Sequence, residues 1–108
     1  MNVAGAWAAL GKDWDSIVKE LLGLPDAASR VQAAEKMLMD ARKLAKRLMA
    51  VHHPDKNPGD VEATKRFQHV KEALEVIESN TESFKANYET LKARAEQRRE
   101  SDGFIVLK

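Results

Sequence analysis

Val31, Ala34, Leu38, Ala41, Ala45 and Leu48 recur at steps of three and four residues, with Met37, Leu44 and Val51 on the flank. A stripe of that length with that period belongs to an amphipathic α-helix and cannot serve a strand, whose side chains alternate. Ser29 and Gln32 have capping-box spacing, so the helix is expected to start near Ser29. Pro54 disfavours α conformation at His53, so the helix must stop at about His52.

The other apolar patterns are helical too. Trp14, Ile17, Val18 and Leu21 share one face of a helix over 13–22, with Asp13 as its expected N-cap. Gly23 is expected as its left-handed C-terminal residue, with Pro25 just beyond. Trp7 and Leu10 continue the phase backwards, which suggests a short helix or turn broken at Gly11. A third helix should begin after Asp60 and bury Ala63, Phe67, Val70, Leu74 and Ile77. Ser79 and Glu82 repeat the capping-box spacing and predict a fourth start near 79–81. Its stripe would be Phe84, Tyr88, Leu91 and Ala95, running to about Arg99. The fold class is therefore all-α, with the second and third helices forming an antiparallel hairpin and the first and fourth closing over it. Trp14 and Met37 are expected in the core, and Met39 and Met49 as exposed contacts; Trp7 is open.

Composition removes several classes of function. There is no cysteine, which excludes disulfides, thiolate metal sites and a cysteine nucleophile. Lys plus Arg is 18 against 17 for Asp plus Glu, a net charge of +1. That weighs against a nucleic-acid binder working by bulk charge. No apolar run has the length of a membrane span, and Met1 to Leu10 lacks the basic start of a signal peptide. The expected location is the cytoplasm or nucleus. His52, His53 and His69 do not have the spacing of a helical zinc site, so no metal is expected.

Charge is nonetheless uneven. Residues 29–56 carry a net +4, with Arg42, Lys43, Lys46 and Arg47 in the second half of the long helix. Arg42 with Lys46, and Lys43 with Arg47, are like-charged i,i+4 pairs that cost a few tenths of a kcal/mol each. They lie off the apolar stripe and form one exposed basic patch. It is either a solvated face favoured near a helix C-terminus or a footprint for an acidic partner.

The patch leads into His53-Pro54-Asp55-Lys56-Asn57-Pro58-Gly59-Asp60. Pro54 stops the helix, and Asp55 then lies in a constrained turn with its carboxylate towards solvent, a good acceptor for an arginine of another molecule. His53 is expected to hydrogen-bond the last helix carbonyls, where the helix dipole favours a cation. A Pro-Asp turn with a local Asx hydrogen bond is the simpler use of the same residues.

The run Lys46-Arg47-Leu48-Met49-Ala50-Val51-His52-His53-Pro54-Asp55-Lys56-Asn57-Pro58-Gly59-Asp60 resembles the J-domain of the DnaJ (Hsp40) co-chaperone family. Ala63, Phe67, Val70, Ala73-Leu74 and Val76-Ile77 follow at the family's spacing. Lys85-Ala86-Asn87-Tyr88 is similar to its basic-x-x-Tyr signature, and Leu22-Gly23 to the end of its first helix. The resemblance covers residues 13–90, leaving 1–12 as an N-terminal extension and 91–108 as the run-on of the last helix and a tail. It implies a J-domain bundle that docks on an ATP-bound Hsp70 and stimulates its ATP hydrolysis. By that resemblance Asp55 pairs with an arginine of Hsp70, Pro54 holds the loop and His53 orients it. Arg42, Lys46 and Arg47, with Lys43 beside them, steer and anchor. It implies no catalytic group and no cofactor, so the chain would activate an enzyme without being one. The alternatives are a J-like adaptor without Hsp70 activation and, less favoured, a basic nucleic-acid-binding bundle.

Several features depart from the family. The stretch from Gly23 to His53 is about two turns longer than usual. Ala45 and His52 stand where the family has tyrosines, and Lys85 where it has arginine. The Gly/Phe-rich segment and the zinc-binding cysteine repeats are absent. The tail Phe104-Ile105-Val106-Leu107 would pack back on the bundle, add to a partner's sheet edge, or lead into further domains.

Overall fold

A computed structural model describes the backbone of residues 1–107 and the side chains of residues 1–94. It contains α1 (Val3–Ala9), α2 (Trp14–Leu22), α3 (Ala27–His52) and α4 (Val61–Leu107), with no strand among the described residues. The all-α expectation holds. The side chains of the Phe104–Leu107 tail lie outside the described residues.

α3 begins two residues before the expected Ser29. Asp26 is the N-cap, and its carboxylate accepts from the Ser29 N–H at 2.7 Å. Its other end is where Pro54 requires it: His52 is the last helical residue, and His53 is extended at φ −58, ψ 133. Gly23 is right-handed, at φ −73, rather than left-handed. Its N–H bonds Lys19 O at 3.0 Å, so the chain tightens by one more turn and enters α3 within four residues without a reversal of hand.

The expected break near Ser79–Thr81 does not occur, and the third and fourth helices are one. From Val61 to Asp102 the sequence holds neither glycine nor proline, so nothing interrupts the hydrogen-bond ladder. Thr81 is buried and donates its Oγ1 to Ile77 O at 2.9 Å, a back-bond that an uninterrupted helix supplies. The Ser79/Glu82 spacing therefore carries no cap.

α3 and α4 run antiparallel and share the core. Leu38, Ala41 and Ala45 pack with Val70, Ala73 and Ile77, and α1 closes the third side with Ala6, Trp7 and Leu10. Ile77 is the largest completely buried side chain among the described residues. Trp7, left open by the sequence, is buried, whereas no residue of α2 is. Trp14 and Ile17 are half-buried at the edge of the cluster. The cover on the hairpin is thus the short N-terminal helix, held by Asn2 accepting from Gly5 N at 2.7 Å and released at Gly11, whose φ is +80. Met39 is exposed as expected, but Met49 packs against the core. Phe84 and Leu91 are exposed, so the last part of the apolar stripe on α4 is uncovered.

Candidate functional site at the end of the hairpin

Where α3 stops, its last carbonyls need donors. Asn57 supplies them: its side-chain amide donates to Val51 O at 2.9 Å and to His53 O at 3.0 Å. Backbone N–H groups of Lys56 and Asn57 also reach His53 O, at 3.0 and 3.1 Å. His53 was expected in this role and does not fill it. Its Nδ1 instead accepts from the Asp55 N–H at 3.1 Å. Accepting there needs a lone pair, which puts the ring proton on Nε2. The approach of Nδ1 to Asp55 Oδ2, 3.7 Å, is then no salt bridge.

The His53 ring meets Phe67 edge to face, with centroids 5.3 Å apart and an interplanar angle of 79°. That is a favoured aromatic geometry, and it ties the loop to the second turn of α4. Gly59, at φ +78, turns the chain towards α4, where Asp60 caps with Oδ1 accepting from Ala63 N at 3.1 Å. Asp60 is the cap expected from the sequence. The result is a loop with both ends pinned and the Asp55 side chain 92% exposed between them. Asn57 and Phe67 are the supporting residues that motif reading missed. The Asn-Pro-Gly run pointed only to a turn, although an asparagine just past a helix end is a usual donor to free carbonyls.

The basic face of α3 precedes this loop. Lys43, Lys46 and Arg47 are exposed, about opposite the buried stripe. Arg42 is at its margin and engaged: Nε lies 3.6 Å from Glu78 Oε1 on α4. The expected patch of four is therefore, among the described residues, three cations without an ion-pair partner and one half-exposed ion pair. Lys85, from the basic-x-x-Tyr run, is 3.0 Å from Glu35 Oε1 on α3. The hydrogen bond to Glu35, and then its charge, raise the Lys85 pKa above the usual lysine value.

Of the three histidines, His52 and His69 line one open cleft of about 440 Å³ with Lys65 and Arg66, while His53 faces Phe67. Ala45, in place of a family tyrosine, is wholly buried between α3 and α4. These groups do not form a nucleophile–base arrangement. They can present one fixed carboxylate and a short row of cations to another protein.

The model of the family described as DnaJ domain matches residues 20–89. Among curated proteins, a stretch of 38 residues is 53% identical to Chaperone protein DnaJ of Chlamydia felis, covering 35% of this chain and 10% of that one. A stretch of 49 residues is 49% identical to Chaperone protein DnaJ of Chlamydia abortus, covering 45% and 12%. The match thus spans about a tenth of the length of these relatives. No solved structure matches. A proline-stopped helix, a pinned His-Pro-Asp loop and a family match over most of the chain agree, and the chain belongs to the DnaJ-domain family.

Proposed function

We propose that the chain is a co-chaperone module that binds the ATP-bound form of an Hsp70-type chaperone and stimulates its ATP hydrolysis. The observation that carries this reading is the Asp55 carboxylate, 92% exposed at the centre of a loop fixed by Asn57, Phe67 and Asp60. A carboxylate held in place loses little entropy on pairing with an arginine, and such charge-assisted pairs are strong. Lys43, Lys46 and Arg47 complement an acidic surface and speed the encounter. The chain contributes no reacting group. It favours one conformational state of the chaperone by binding it better, and that difference drives hydrolysis.

The test is the single-turnover ATPase rate of an Hsp70 with a substrate peptide, with and without this chain. Stimulation is expected, and Asp55→Asn should abolish it while leaving the helical circular dichroism unchanged. Equal stimulation by Asp55→Asn would remove Asp55 from the mechanism, and no stimulation by the parent across Hsp70s of different compartments would leave the adaptor reading in its place.

A further inference from the structure

The apolar seam of α4 outruns its cover. Val70, Ile77 and Thr81 are buried, but Phe84 is 38% and Leu91 54% exposed at the next steps of the same three–four repeat, with Tyr88 half-exposed between them. Two ion pairs set the register of α3 against α4: Arg42 with Glu78, and Glu35 with Lys85. They are one heptad apart on both helices, as in an antiparallel coiled coil. The next step puts Lys92 level with Ala28, which has no charge, at the first turn of α3. Beyond this point the seam has no partner helix among the described residues.

A groove of about 570 Å³ adjoins the open seam. The apolar face of α2 (Trp14, Ile17, Val18 and Leu21) forms one wall, and Asn80, Phe84 and Asn87 form the other. Arg30 is also in the lining. Its Nη2 donates to Leu24 O at 3.3 Å, but its Nε is buried with no hydrogen-bond partner among the described residues.

Charge identifies the kind of occupant. Lys85 and Lys92 flank the seam on one side, and Asn87 and Arg94 on the other. Glu82 and Glu89 sit one position further round, away from it. An antiparallel second copy would set lysine against lysine across the seam, and a parallel one would set Lys85 and Lys92 against Asn80 and Asn87, so neither supplies an acidic partner. Helices with carboxylates beside the apolar seam would satisfy Lys92 and Arg94, as Glu35 already satisfies Lys85. We propose that the Phe84–Tyr88–Leu91 seam and the groove beneath α2 dock an amphipathic helix of another protein whose apolar stripe is flanked by acidic residues. Phe84 lies on the order of 35 Å along α4 from Val61, so this surface is separate from the His53–Asp55 loop and does not depend on the proposed Hsp70 activity.

Two synthetic helical peptides of about three heptads test this, both with leucine at the seam positions, one with glutamate flanks and one with lysine flanks. The readouts are the tryptophan fluorescence of the chain and the amide exchange of residues 84–94. The acidic peptide should bind at least roughly tenfold more tightly, weaken with salt, and protect these amides. Lys92→Glu combined with Arg94→Glu, both exposed, should reverse the preference. Equal binding of the two peptides, no binding of either, or protection of the same amides by self-association in sedimentation would each overturn the proposal.

Discussion

Asn57 donates its side-chain amide to the carbonyl oxygen of Val51, six residues earlier, and so closes the end of α3 from within the loop that follows it. The same amide reaches His53 O, so one side chain ties the helix end to the His-Pro-Asp turn. Asn57→Ala removes both bonds. Because the site is half open to water, the expected cost is about 1 kcal/mol in urea unfolding. The larger effect should be on function: if the loop presents Asp55 to Hsp70, stimulation should fall severalfold although Asp55 itself is intact.

Phe67 supports the loop from the other side through the His53 ring. Phe67→Ala loses a half-buried ring and an edge-to-face contact, together on the order of 2 kcal/mol. Phe67→Leu keeps much of the apolar area and should cost less. In both variants the His53 ring protons should lose the ring-current shift that the Phe67 ring imposes, a change that NMR reads directly.

The seam of α4 should divide sharply in its contribution to stability. Ile77 is wholly buried, so Ile77→Ala should destabilise by about 3 kcal/mol. Leu91 is 54% exposed at an equivalent position of the same repeat, so Leu91→Ala should stay within about 0.5 kcal/mol. Similar losses for the two in chemical denaturation would mean that the distal seam is packed in solution.

Asp26 makes the start of α3 sensitive to acid. Hydrogen bonds from the Ser29 backbone N–H and hydroxyl hold its carboxyl below the ordinary value of 3.8. A depressed folded value means that the cap's stabilisation is complete above the unfolded value and disappears as pH falls through the folded one. The melting temperature of the parent should therefore drop more steeply than that of Asp26→Asn below about pH 4. Asparagine caps nearly as well without titrating, so the two should nearly coincide near neutral pH.

Arg42 should behave unlike its neighbours. Its guanidinium is shared with Glu78, and the pair, about half-exposed on each side, is worth under about 1 kcal/mol. In Hsp70 stimulation at low salt, Arg42→Ala should reduce the rate less than Lys46→Ala or Arg47→Ala, whose side chains are exposed and have no ion-pair partner among the described residues. Glu78→Gln should then move Arg42 into the active set and raise stimulation slightly.

Much of this protein was determined by residues acting on their near neighbours. The long stripe from Val31 to Leu48 needs a helix of that length, Pro54 stops it at His52, and Asp60 starts the next one. Those signals work through φ restriction, capping and side-chain period, all of which act within a turn or two. They placed the His53-Pro54-Asp55 loop at the hairpin end and left Asp55 in solvent. The same local logic failed at Ser79, where cap-like spacing without a helix breaker was absorbed into an unbroken ladder. It could not rank α1 against α2 either, because both carry an apolar face and only packing decides which face fits beside Ala73 and Ile77. The small Ala6 lets α1 come close enough for Trp7 to be buried, while α2 is left with an open groove. Arg42 with Glu78, His53 with Phe67 and Arg30 beside its groove were likewise decided only by the tertiary structure, since each brings together residues from different helices or from a helix and the loop.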